Sequence, residues 1–191
     1  MPDIFALHGK WRADKIAVIS DTETLSWKSF NERTYQVANG LRAMGLENGD
    51  RVIVLMSNGL PMMEALFGIM AGGFVSAPLN VSVTNDAILN MILDSGAKAI
   101  FVSEEYADRI KSLKADLPKE TFKNSIFIGS NIQGGIDYEP WRNRQNKTRP
   151  ENNLKPDDYL NIISSSGTTG EPKGIVHTHK GRRDWAYDMA L

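Results

Sequence analysis

Four short apolar runs constrain this chain more than anything else in it: Arg51-Val-Ile-Val-Leu-Met56, Phe74-Val-Ser-Ala-Pro-Leu79, Ala99-Ile-Phe-Val102 and Ser125-Ile-Phe-Ile128. A run with no polar alternation has no face to give to water, so each reads as a strand covered on both sides, as in a parallel sheet. The stretches between them carry apolar residues at helical spacing. Strand, helix, strand with short links leaves few topologies open. The expectation is an α/β fold, layered, with a mostly parallel sheet flanked by helices.

The helices announce their ends. Phe30, Thr34, Val37, Ala38, Leu41 and Met44 share a face before Gly45. Ser26 or Ser29 can cap that helix, and Ser29 has Glu32 at capping-box spacing. Pro61 opens a second helix that ends at Gly72-Gly73. Thr84 caps a third, in which Ile88, Met91, Ile92 and Ser95 face one way before Gly96. A further helix is predicted over Glu104 to Leu113, and another over Arg183 to Leu191. Ile16–Ser20 and Thr24–Trp27 predict a small hairpin. From about 130 to 158 the chain is rich in Asn, Gln, Gly, Pro and charge, and predicts a long irregular connection.

Composition removes several function classes. With 22 basic and 23 acidic side chains the formal net charge is -1, which offers no electropositive field for nucleic acid. The absence of cysteine excludes disulfides, thiolate catalysis and Cys-based zinc sites, and fits a reducing, cytoplasmic setting. The first residues lack the basic and apolar regions of a signal peptide. Residues 65–85 are uncharged, but their glycines, Pro78 and polar residues suit helix, turn and buried strand, and no membrane-spanning segment is expected.

The chemistry gathers in Tyr159 to His179. An apolar strand enters, a loop of small residues over 164–174 follows, and a second apolar stretch leaves. Ser165, Ser166, Thr168 and Thr169 supply hydroxyls, while Gly167, Gly170 and Gly174 surround Lys173. Glycine lets backbone N–H groups approach an anion, hydroxyls add donors, and lysine adds a mobile positive charge, a combination suited to polyphosphate. A polar surface turn between two strands is the plain alternative. The loop is not a Walker A motif, because Gly170 stands too close to Lys173 and Gly174 follows where Ser or Thr is required. That argues against a kinase-like reading.

The order of residues resembles the signature loop of the adenylate-forming superfamily: acyl-CoA synthetases, adenylation domains of peptide synthetases, and luciferases. Ser165, Ser166, Gly167, Thr168, Thr169, Gly170, Pro172, Lys173 and Gly174 match its pattern of small-small-Gly-Ser/Thr-Thr-Gly-x-Pro-Lys-Gly, and Thr178-His179 is similar to the pair found downstream. Weaker resemblances run along the chain in order: Leu25-Ser-Trp-Lys-Ser-Phe30, Gly45 to Val54, Met70-Ala-Gly-Gly to Asn80, and Asp94-Ser-Gly-Ala-Lys98. The whole chain, residues 1–191, is thus identified as part of an N-terminal AMP-binding domain, its first subdomain.

The resemblance implies an acid–thiol ligase, an acyl-CoA synthetase first of all. A carboxylic acid, by preference a fatty acid, would be activated by Mg2+-bound ATP through an acyl-adenylate and passed to coenzyme A. It implies phosphate contacts from Ser165, Ser166, Gly167, Thr168, Thr169 and Gly170, with Lys173 and Thr169 acting on the transferred charge. An amino-acid or aryl-acid adenylation domain is the alternative within the superfamily, and a non-catalytic phosphate-binding α/β module the alternative outside it. Members of the superfamily are much longer, and their adenine- and ribose-binding segments and C-terminal lysine have no counterpart here. The chain is therefore expected to need the remainder of the same enzyme, to be inactive alone, and to expose apolar surface that favours a homodimer or aggregation. His177 and His179 would point to one face if both lay on a strand, but no third ligand accompanies them and no protein-held metal is expected. Trp11, Trp27, Trp141 and Trp185 follow no periodic stripe and read as packing residues.

Overall fold

The structure, a computed structural model, describes residues 2–129, 133–165 and 173–189. The chain opens with α1 (Pro2–Trp11) and the hairpin strands β1 (Ile16–Ile19) and β2 (Thr24–Ser26). Then come α2 (Trp27–Ala43), β3 (Arg51–Leu55), α3 (Leu60–Gly72), β4 (Val75–Pro78), α4 (Asn85–Ser95) and β5 (Ala99–Ser103). A 3-10 turn (Glu104–Tyr106), α5 (Ala107–Ser112) and α6 (Lys119–Lys123) lead to β6 (Ser125–Ile128). β7 (Ile136–Asp137) and α7 (Tyr138–Asn143) precede β8 (Tyr159–Ser165), β9 (Lys173–Thr178) and α8 (His179–Asp188).

Seven strands form one sheet in the order β7-β6-β5-β3-β4-β8-β9. Every neighbouring pair is parallel except β8 and β9, so the mostly parallel, layered α/β architecture stands. Alternation along each strand divides the core. Val52, Val54, Ala99, Phe101 and Ile126 face Val37, Leu41, Ala65 and Ile69 of α2 and α3. Ile53, Leu55, Ile100, Val102 and Phe127 face Ile88 and Ile92 of α4, with Ile110 and Phe122 of α5 and α6. Both faces are dry, which is why these strands read as unbroken apolar runs. β1 and β2 pair antiparallel outside this sheet, over a small cluster of Val18, Leu25, Phe30 and Leu60.

Helix ends follow the expected chemistry with one correction. Thr84 accepts from the Ala87 N–H at 3.3 Å and Gly96 ends α4 at φ +60°. In α2 the cap is Ser26, which accepts from the Ser29 N–H at 3.2 Å; the helix starts at Trp27, so Ser29 lies inside its first turn. α2 and α3 pack so closely that a Cβ on Gly68 would stand 2.5 Å from the Val37 Cβ.

The connection over 130–158 is less irregular than its composition predicts. β7 extends the sheet, and α7 buries Tyr138 and Trp141 against Phe101, with ring centroids 6.1 and 6.0 Å away. Trp141 fills the space over Gly40 of α2, where a Cβ would lie 2.4 Å from its Cζ2. A six-residue helix with two core residues is too short to show a period. Beyond Arg144 no helix or strand forms before β8, and side-chain amides pin the backbone instead. The Gln36 amide donates to the carbonyls of Arg142, Asn143 and Gln145, Asn39 to those of Asn146 and Thr148, and Asn152 to that of Ala71.

These helices meet at a fully buried carboxylate. Glu64 of α3 accepts from Arg33 of α2 at 3.0 Å and from Arg142 and the Tyr138 hydroxyl of α7, each at 2.5 Å. Arg33 also grips Glu23 of the hairpin at 2.6 Å, and that hydrogen bond holds the Glu23 carboxyl below its ordinary value. Burial pushes the Tyr138 hydroxyl well above the usual phenol range, with the Glu64 charge adding to it. A buried ion that loses its partner is costly, because the remaining charge stays desolvated. Glu64→Ala should therefore destabilise the chain by about 3–5 kcal/mol. Glu32→Ala, which removes the half-buried partner of the exposed Lys147, should change stability by less than about 1 kcal/mol. Urea unfolding of both variants checks the contrast, and equal effects would contradict it.

Candidate phosphate-binding site

β8 is a strand because Leu160 and Ile162 turn inward between neighbours on both sides. It pairs in parallel with β4 through Ser76 and Asn161, and antiparallel with β9 from Tyr159 to Ser165. Asn161 meets His177 across the ladder, its Oδ1 2.9 Å from the imidazole Nδ1. The hairpin register sets Ser164 opposite Gly174 and Ser165 opposite Lys173. A Cβ on Gly174 would come within 2.9 Å of the Ile162 Cγ2, so this glycine also serves the closeness of the two strands.

β8 runs parallel to β3, β4, β5 and β6, and Ser165 therefore lies at the carboxyl edge of the sheet. Ligands of open α/β sheets bind outside this edge, where backbone groups are left unpaired by the ending strands. Lys173 starts β9 at that same edge and is exposed. The expected loop of 164–174 is narrower in the structure, since 164, 165, 173 and 174 belong to strands. Of the predicted site residues, Ser165 and Lys173 are brought together by the ladder; Ser166, Gly167, Thr168, Thr169 and Gly170 lie outside the described residues.

A second polar group on this edge was not foreseen from the sequence. β3 is followed by β4 on one side and β5 on the other, so the strand order reverses between β3 and β5. Just beyond these strands the Ser57 N–H donates to the Ser103 Oγ at 3.1 Å, and the Ser57 Oγ lies 3.2 Å from the Tyr106 hydroxyl. A hydrogen bond from Ser57 holds the Glu105 carboxyl below its ordinary value. The sequence signal was the polar residues that directly follow each apolar run, Ser57-Asn58-Gly59 and Ser103-Glu104-Glu105-Tyr106. From β3 to β8 is two strand spacings, about 10 Å.

The two histidines do not share a strand face. His177 lies on β9, whereas His179 is the first residue of α8, whose cap is Thr178. The helix begins there because the Thr178 side chain accepts from the Gly181 N–H at 3.1 Å. Among the described residues, no group of three His, Cys, Asp or Glu could hold a metal ion. Nor is any helix among them long and apolar enough to cross a membrane.

The sequence model of a family described as AMP-binding enzyme matches residues 5–189. A fatty acid–acyl-carrier-protein ligase of Streptomyces coeruleorubidus is 28% identical, over 92% of this chain and 32% of its own. An acetyl-coenzyme A synthetase of Pseudoalteromonas translucida is 29% identical, over 91% of this chain and 30% of its own. The crystal structure of an anthranilate CoA ligase in complex with anthranoyl-AMP superposes with a TM-score of 0.88 at 26% identity, covering 94% of this chain and 34% of that one. The chain spans about a third of the length of the curated relatives it matches.

His179 makes one further prediction. Its ring is 5% exposed, and neither nitrogen has a hydrogen-bond partner among the described residues. Burial lowers its pKa from the ordinary 6.5, against the opposing pull of Asp158 and Asp3. With the folded value depressed, the unfolded chain binds more protons between the two values, so stability is lost as pH falls from the ordinary 6.5 towards the folded one. The urea midpoint should drop between about pH 7 and pH 5, and His179→Leu should flatten that slope. An unchanged slope in the variant would contradict the assignment.

Proposed function

We propose, because the chain belongs to the AMP-binding enzyme family, that it supplies the pyrophosphate-holding part of an enzyme that activates a carboxylic acid with ATP. The observation that carries this reading is the β8–β9 hairpin, which fixes Ser165 and Lys173 as cross-strand neighbours at the carboxyl edge. Two hydrogen-bonded strands hold residues 165 and 173 at a set distance. The donor set fits polyphosphate: hydroxyls at Ser165, Ser166, Thr168 and Thr169, glycines at 167 and 170, and one lysine.

In this reading ATP, with Mg2+, supplies the phosphoanhydride whose cleavage drives acid activation. The chain's own part is positioning and charge. Backbone N–H groups and hydroxyls from Ser165 to Thr169 hold the two terminal phosphates, and Gly167 and Gly170 allow the backbone to approach them. Lys173 offsets the negative charge that grows on the departing pyrophosphate; preorganised charge of this kind is worth most in the transition state. The product is an acyl-adenylate, which a thiol then opens. Coenzyme A is the preferred thiol and a fatty acid the preferred acid, in keeping with the ligase and synthetase relatives. An aryl acid is the second reading, favoured by the fit to the anthranilate CoA ligase. Adenine and ribose contacts come from the rest of a longer enzyme, and residues 1–191 alone release no pyrophosphate.

Pyrophosphate release with Mg-ATP and a panel of fatty, short and aromatic acids tests this, on the longer protein and on this chain by itself. Release by the longer protein alone is expected. In it, Lys173→Ala should lower kcat by about a hundredfold and Thr169→Val by about tenfold, with unchanged thermal unfolding. Wild-type turnover by both variants, or release by the 191-residue chain, would overturn the assignment.

A further inference from the structure

The dipeptide Asn-Gly occurs three times in the chain, at 39–40, 48–49 and 58–59. Asparagine is chemically labile in this pairing, because glycine has no side chain to shield its backbone nitrogen from the neighbouring amide. The reaction is intramolecular, so it proceeds only where that nitrogen can reach the Asn Cγ. The fold treats the three copies differently.

Asn39 and Gly40 lie inside α2, where the Gly40 N–H is committed to the helix. The Asn39 amide donates to the carbonyls of Asn146 at 2.8 Å and Thr148 at 2.9 Å, and Trp141 covers Gly40. Asn48 and Gly49 are exposed in the turn before β3, but the Gly49 N–H donates to the Gly73 carbonyl at 2.9 Å. The Asn48 Oδ1 is seated against Gly73, 2.8 Å from where a Cβ there would stand. Asn58 and Gly59 have neither restraint. Both are exposed in the link from β3 to α3. Among the described residues, neither the Asn58 amide nor the Gly59 N–H has a hydrogen-bond partner. Outside its chain neighbours, the nearest atom to a Cβ built on Gly59 is the Pro61 Cδ at 3.8 Å, so the space around it is open. Gly59 is also the N-cap of α3, and the positive end of a helix stabilises negative charge that develops beside it.

We infer that Asn58 is a site of spontaneous deamidation in the folded protein. The Gly59 nitrogen gives its proton to solvent and bonds to the Asn58 Cγ. The Cγ–Nδ2 bond breaks, and the amide nitrogen takes a proton from water and leaves as ammonia. Water then opens the cyclic imide. Opening on one side gives an aspartate at position 58, and on the other an isoaspartyl link that carries the main chain through the side-chain methylene. Water is consumed, ammonia is released, and nothing is oxidised or reduced. Either product adds one negative charge to the carboxyl edge beside Ser57, and the isoaspartyl form lengthens the link between β3 and α3. The inference does not rest on the reaction proposed above.

Incubation of the folded protein in mildly alkaline buffer, followed by tryptic mapping with tandem mass spectrometry, tests this. Cleavage after Arg33, Arg42, Arg51 and Lys98 puts the three dipeptides in separate peptides. Position 58 should lose its amide about tenfold faster than positions 39 and 48, and its peptide should accept methyl label from protein-isoaspartate methyltransferase. In guanidinium chloride the three should react at comparable rates, because their protection comes from the fold. Gly59→Ala, at an extended backbone position with φ 169° that suits any residue, should slow the loss at 58 several-fold and leave the others unchanged. Asn58→Gln should remove the label, with thermal unfolding as in the wild type. Retention of the amide at 58 for as long as at 39 and 48, or an unchanged rate in Gly59→Ala, would overturn the site. The same tenfold lead for 58 in guanidinium chloride would overturn the fold as its cause.

Discussion

The Glu64 carboxylate, with no contact with water, fixes how three helices sit on one face of the sheet. It lies near the start of α3, draws Arg33 from α2, and draws Arg142 and Tyr138 from α7. Two guanidinium groups and a phenol satisfy its oxygens, which offsets the desolvation that an isolated charge would suffer. The geometry downstream depends on this. α7 is the last regular element before β8, and the amide-pinned stretch from Gln145 to Asn152 carries the chain from that anchored point to the hairpin. The β8–β9 hairpin is therefore placed by a chain of polar contacts as well as by the parallel strands beside it.

Much of this was legible. The four apolar runs became β3 to β6, because strands buried on both faces must be apolar throughout. Thr84, Gly96 and Gly45 ended helices where their backbone chemistry said they would. What escaped was of a different kind. α7 is too short for a period, and its place is set by Trp141 fitting over Gly40, a contact across about a hundred residues of chain. The Ser57–Ser103–Tyr106 cluster exists only once β3 and β5 are neighbours. The two-residue spacing of His177 and His179 looks alike in a strand and across a strand–helix junction; the Thr178 cap decides it.

The carboxyl edge collects polar groups of two kinds. At β3 and β5 they are already hydrogen-bonded to one another, so that part of the edge is set in place. At β8 and β9 the register fixes Ser165 against Lys173 through the backbone ladder, independent of any side-chain partner.

The slot over Gly40 gives the chain an optical property. Trp141 is 3% exposed, whereas Trp11 and Trp185 are 73% and 57% exposed. An indole sealed among Phe101, Tyr138 and a bare glycine backbone emits at shorter wavelength than one in water, and ring neighbours place Tyr138 close enough to hand it excitation. Trp27 is half-buried, so the shortest-wavelength component of the emission belongs to the seat of α7, and its loss would mark the moment that helix leaves the sheet.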